Sequence, residues 1–152
     1  MDRSTILILE DYVGRIEAFE RAVERLGAKL NLRVWRDAPT MLLECASYFD
    51  DTCLISLDHD LVPESNESPD PGTGLEVAEY ISSHEKFCPV IIHTTNHERR
   101  WSMHNAFRFA GWQVEIVPPL EGDWIENSWF RRAASLIAAE QSSSQQTSGD
   151  NR

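Results

Sequence analysis

A chain of 152 residues, 41% of them apolar, is long enough to bury one hydrophobic core, which excludes a fibrous or wholly disordered protein. Acidic residues number 25 against 14 basic ones, a net charge of −11, so the surface repels a polyphosphate backbone and an anionic membrane alike. Bulk nucleic-acid binding and membrane attachment are thereby excluded, while a local basic patch or a metal-neutralised site is not.

The apolar run Ile6-Leu7-Ile8-Leu9, ended by Glu10-Asp11, predicts a strand buried on both faces. Ile16, Phe19, Ala22, Val23 and Leu26 recur at helical spacing, which predicts a helix over 15–26 with Gly27 as its C-cap. A second strand is expected at Leu32–Trp35, and a helix over 40–49 with Pro39 near its first turn. Cys53–Leu57 reads as a third strand running into Asp58-His59-Asp60. A loop rich in Pro, Ser, Asp and Gly follows over 62–73, then a helix over 74–83. The fourth strand is Pro89–His93, the fourth helix 99–109 with Gly111 ending it, and the fifth strand Val114–Val117. A last helix over 124–139 completes one domain, residues 1–140, before a polar tail, 141–152, without apolar anchors and expected to be disordered. Five strands alternating with five helices predict an α/β, doubly wound parallel sheet with helices on both faces. Cys45, Cys53 and Cys88 have no ligand-like spacing, and neither a secretory signal nor a run of ~20 apolar residues is visible, so reduced thiols in a cytoplasmic protein are expected.

In sheets of this kind ligands bind beyond the carboxyl ends of the strands. Three of those ends are polar: Glu10-Asp11, Asp58-His59-Asp60 and His93-Thr94-Thr95-Asn96. Carboxylates gathered in one crevice repel one another unless a cation or proton compensates, and oxygen ligands suit a hard ion such as Mg²⁺ or Mn²⁺. Glu10, Asp11, Asp58 and Asp60 are therefore the expected metal ligands. His93 and His59 are candidate proton carriers alongside Asp58, because an imidazole titrates near neutrality. Thr94, Thr95 and Asn96 are expected to hold phosphate. So is Arg100, which lies on a helical offset with His97 and His104.

The chain resembles the receiver domains of two-component response regulators from about Thr5 to Ile137. Glu10-Asp11 matches the family's paired acids, Asp58 its phosphoacceptor, Thr94 its hydroxyl residue, and Thr73-Gly74-Leu75-Glu76 the start of its third helix. Two features depart from that pattern. The family's lysine after the fifth strand falls near Pro118, which cannot pair with an acyl phosphate, and the loop between Asp58 and Gly74 is longer than usual. Leu57-Asp58-His59-Asp60-Leu61 and His93-Thr94-Thr95-Asn96 are more similar to a divergent branch, the cyclic-phosphate-processing receiver-like domains. That resemblance implies a metal-dependent enzyme acting on cyclic phosphate or related ends in RNA repair. Its partner would be a phosphate-bearing small molecule or nucleic-acid end. Two other readings stand beside it: a signalling receiver phosphorylated on Asp58, and a non-catalytic pseudo-receiver that docks a protein partner.

Overall fold

The computed structural model describes residues 2–149, and side chains over 2–142. Its first strand, β1 (Thr5–Leu9), is buried at all five positions because it lies inside the sheet with a neighbour on each side. Chain order continues through α1 (Val13–Leu26), β2 (Asn31–Trp35), α2 (Ala38–Glu44), β3 (Thr52–Leu57) and α3 (Gly74–Ser82). It ends with β4 (Val90–Ile92), α4 (His97–Phe109), β5 (Val114–Ile116) and α5 (Phe130–Gly149). The five strands pair in parallel in the order β2-β1-β3-β4-β5. Strand order reverses between β1 and β3, and a crevice opens at their carboxyl ends.

Period-two alternation splits the sheet's apolar residues between two cores. Leu7, Leu9, Ile55, Leu57, Val90 and Ile92 face α2, α3 and α4, while Ile6, Ile8, Leu54 and Ile91 face α1 and α5. Full burial of each such side chain contributes about 1.5–3 kcal/mol. β2 is an edge strand, and its outward Asn31 and Arg33 keep that edge polar.

Several boundaries differ from the sequence reading, each for a local reason. α1 begins at Val13 and α4 at His97, the latter because the Asn96 side chain accepts from Arg99 N and caps it. α2 stops at Glu44 and tightens into a 3-10 turn, Cys45–Asp51. Gly27 caps α1 with an extended backbone, φ 168°, so the left-handed cap expected there is absent. The last helical stretch opens with a π turn, Ile125–Trp129, and α5 then continues to Gly149, into the stretch expected to be a disordered tail. Residues 150–152 of that tail lie outside the described residues. No helix among the described residues is long and apolar enough to cross a membrane. Cys45, Cys53 and Cys88 are buried free thiols; burial pushes Cys45 up to about 11 and Cys53 to about 12.

Candidate functional site

Backbone pairing runs past the ends of the strands. Glu10 N donates to Trp35 O at 2.9 Å, Asp58 N to Leu9 O at 3.1 Å and His93 N to Leu57 O at 2.9 Å. Glu10, Asp58 and His93 therefore stand in a row across β1, β3 and β4, on the face shared with Ile8, Ser56 and Ile91. The carboxylates of Glu10, Asp11 and Asp58 each offer an oxygen within 4.8 Å of the others.

Glu10 is fully buried. Its Oε2 accepts from Asp11 N at 3.0 Å and Tyr12 N at 3.2 Å. Its Oε1 lies 3.3 Å from His93 Nε2 and 3.6 Å from Arg15 Nη1, yet neither Oε1 nor His93 Nε2 has a well-aligned hydrogen-bond partner. Burial pushes the Glu10 pKa up, but His93, the Tyr12 amide and Arg15 outweigh it and hold the group below its usual value. Asp58 has weaker support. Burial, reinforced by the Glu10 charge, raises it to about 6 against the opposing pull of His93, the His59 amide and Arg15. Burial also raises half-buried Asp11, although its Oδ2 accepts from Val62 N at 2.7 Å.

Behind Glu10 lies a buried polar chain. Trp129 Nε1 donates to Ser56 Oγ at 3.0 Å, and Ser56 Oγ lies 2.6 Å from His93 Nδ1. An indole N–H only donates, so Ser56 Oγ accepts from Trp129 and links it to the His93 ring, whose Nε2 faces Glu10. Phe19 and Trp124 pack on the imidazole at centroid distances of 5.1 and 5.7 Å. His93, read from sequence as a proton carrier, is thus wholly enclosed, with Nε2 turned to the Glu10 carboxylate.

His59 points to the opposite side of the sheet from Asp58, as alternation requires. Its Nδ1 accepts from Leu75 N at 3.2 Å and closes the start of α3, and the buried ring turns its Nε2 to within 3.8 Å of Asp60 Oδ1. Asp60 lies past the end of β3, outside the carboxylate trio. It lines the cleft, accepts from Asn96 Nδ2 at 3.2 Å and bridges to Thr73. Of the expected phosphate holders only Thr95 lines the cleft. Thr94 is fully buried, with its Oγ1 accepting from Asn96 N, and Arg100 spends its Nε and Nη2 on Thr94 O at 3.3 and 2.9 Å.

Three contributors escape the sequence reading. Arg15 Nη1 lies 3.8 Å from Asp58 Oδ2 as well as near Glu10, with its guanidinium over the Trp124 ring at 5.6 Å. Arg36 donates to Asp11 O at 3.0 Å and pairs with Glu64 at 3.2 Å, which ties the long loop beside the crevice. Ser56 is the third; its one signal is a lone hydroxyl inside the apolar run Leu54-Ile55-Ser56-Leu57. These elements enclose an open cleft of about 660 Å³ lined by Asp11, Arg15, Asp58, Asp60 and Thr95, with Tyr12, Val13, Val62 and Pro63 on its apolar side. Gly74 packs against the backbone that carries Asp58: a Cβ there would stand 1.8 Å from Asp58 O, so only glycine lets α3 begin against the Asp58-His59 backbone.

Residues 8–109 match the family model described as the cyclic-phosphate processing receiver domain, a span that takes in every site residue named above except Ser56's indole partner, Trp129, and Trp124. Among solved structures, a response regulator receiver domain from Rhodospirillum rubrum is 21% identical over 86% of this chain and 92% of its own, with a TM-score of 0.63. The CheX-CheY-BeF3-Mg²⁺ complex from Borrelia burgdorferi contains a match of 15% identity over 90% of each chain, TM-score 0.65. A receiver domain of a LuxO repressor protein from Vibrio parahaemolyticus is 14% identical over 91% of this chain and 95% of its own, TM-score 0.59. At these identities the likeness is one of fold. No curated protein matches the chain in sequence.

Proposed function

The chain belongs to the family of cyclic-phosphate processing receiver domains, and from that premise we propose that it is an Mg²⁺- or Mn²⁺-dependent phosphoesterase acting on cyclic phosphate or related phosphoester ends. The observation that carries this reading is the trio Glu10, Asp11 and Asp58, whose oxygens lie within 4.8 Å of one another. Its members fit a hard divalent ion. The donors are all oxygen, a buried Glu10 Oε1 lacks a hydrogen-bond partner, and burial leaves Asp58 short of compensating charge. The BeF3-Mg²⁺ complex of the Borrelia relative has the same fold and supports the choice of ion.

When bound, such an ion supplies charge neutralisation for phosphoryl oxygens and acidifies a water. The chain's own residues do the rest. Two backbone amides fix Glu10 Oε2, and the Trp129-Ser56-His93 chain holds the imidazole with its Nε2 beside Oε1, so His93 acts as a positioning residue. Asp58, whose carboxyl faces the cleft and which burial raises to about 6 when no ion is present, would hold that ion together with Glu10 and Asp11. Thr95 offers a hydroxyl to a phosphoryl oxygen at the cleft rim, and Asp60, held by Asn96, orients water there. In net terms water adds to phosphorus, one ring P–O bond breaks, and the departing oxygen takes a proton.

The test is turnover of a 2′,3′-cyclic nucleotide with Mg²⁺. Wild type should yield the monoester, chelation should stop it, and Asp58→Asn should lower the rate on the order of a hundredfold or more. A wild-type protein that turns over none of it, but gains one phosphate mass from a small acyl-phosphate donor, would instead be a signalling receiver.

A further inference from the structure

We propose that Arg15 is the phosphate-binding cation of this site, an assignment that rests on the phosphoester reading above and names the group that grips its anion. An anion pocket that contains three carboxylates needs a positive group that is fixed in place but not already consumed. Arg36 and Arg100 fail on the second count, since their guanidiniums are spent on Asp11 O, Glu64 and Thr94 O. The end of β5 offers Pro118 and Pro119 and no cation.

Arg15 meets both requirements. Its guanidinium lies over the Trp124 ring at 5.6 Å, which anchors it, and approaches Glu10 Oε1 and Asp58 Oδ2 only at ion-pair range, 3.6 and 3.8 Å. It makes no side-chain hydrogen bond among the described residues, so its fork of donors is unspent. The side chain is 29% exposed and lines the same cleft as Asp58 and Thr95. Without a divalent ion, Arg15 is the counter-charge to Glu10 and Asp58. Once those carboxylates are neutralised otherwise, the guanidinium is released from them and presents two parallel donors to a phosphoryl group. It thus supplies from α1 a cation that the end of β5 lacks.

Calorimetric titrations separate this from a purely structural ion pair. Inorganic phosphate is titrated into wild type, Arg15→Ala and Arg15→Lys with MgCl₂ present, and MgCl₂ alone is titrated into each. Arg15→Ala should weaken phosphate binding about tenfold or more, with Arg15→Lys recovering only part because an ammonium lacks the fork. Mg²⁺ alone should bind Arg15→Ala as tightly as wild type or more tightly, since a competing positive charge has gone. Phosphate affinity unchanged in Arg15→Ala overturns the proposal, as does weaker Mg²⁺ binding, the mark of a group that only braces the carboxylates. If wild type takes no Mg²⁺, the metal reading fails by itself. The Arg15 assignment then stands or falls on the phosphate titration without metal, where equal binding to wild type and Arg15→Ala overturns it.

Discussion

Asp58 is ionised at some cost, and that cost has a sign that can be measured. Its folded pKa, about 6, lies above the usual carboxylate value, so between roughly pH 4 and 6 the folded protein holds a proton that the unfolded chain has lost. Stability from this group is therefore greatest below pH 4 and declines as pH rises through 6, by about 3 kcal/mol in all. Metal-free wild type should lose stability relative to Asp58→Asn across that window in denaturant melts, with the difference level above pH 7. Protons and Mg²⁺ compete for the same oxygens, so Mg²⁺ affinity should fall below pH 6 by up to tenfold per unit, as a property of the coupled Glu10-Asp58 cluster. Ser56 carries a second prediction. Ser56→Ala leaves Trp129 Nε1 and His93 Nδ1 buried without partners, which should cost about 2 kcal/mol in a thermal melt and weaken Mg²⁺ binding as the imidazole beside Glu10 loses its anchor. The acids were readable from sequence because each follows an apolar run, at a position where the chain must leave the sheet. Ser56 and Trp129 were not, because nothing local links a strand hydroxyl to an indole 73 positions later. Arg15 was hidden by its surroundings, one charge among several at the start of an amphipathic helix.

Between elements, the critical junction is where α3 abuts the end of β3. A methyl at position 74 would overlap Asp58 O at 1.8 Å and His59 Cα at 2.8 Å, both backbone atoms that cannot step aside without moving the site. Gly74→Ala should cost about 3 kcal/mol or more, a fall in Tm of roughly 6–12 °C for a chain this size, and should weaken Mg²⁺ binding as Asp58 shifts. Gly27→Ala is the control. Its backbone is extended, φ 168°, and a Cβ would meet only Leu30 at 3.7 Å, so stability should change by less than ~1 kcal/mol. The sequence patterns that predict α3 and β3 are strong, yet they do not reveal this contact, since Thr73-Gly74 reads equally well as an ordinary helix start. The strand runs were legible for a simple reason: a parallel strand buried on both faces has few polar positions to confuse the pattern. The start of the last helix was not. Trp124 and Trp129 are five residues apart, which an α-helix would turn roughly 140° from each other. The π turn, closed by Trp129 N on Trp124 O at 2.9 Å, brings both indoles to the sheet, one beneath Arg15 and one on Ser56. Tertiary demand, invisible to periodicity, sets that geometry.

At the scale of the whole molecule, the net charge of −11 and the phosphoester reading pull in opposite directions, and salt decides between them. A protein that grips nucleic acid through a basic surface loses affinity as salt rises, because neutralised phosphates had released counterions that salt now opposes. Here the long-range field is repulsive, and on the proposed reading attraction is confined to the cleft where Arg15 lies and where a divalent ion would offset the neighbouring carboxylates. Over a Debye length of about 30 Å at 0.01 M the surface repels an incoming oligonucleotide, and at 0.15 M, with a length of about 8 Å, that repulsion is largely screened. The short contacts within the cleft are screened much less. For an RNA oligonucleotide ending in a cyclic phosphate, kcat/KM should therefore rise several-fold between 10 and 150 mM NaCl at fixed Mg²⁺. A cyclic mononucleotide, with a single charge, should show little change. The difference between the two substrates isolates the repulsion from any general effect of salt on the fold. A steep fall for the oligonucleotide would mean that a basic surface captures the strand, and the local cleft would no longer account for binding.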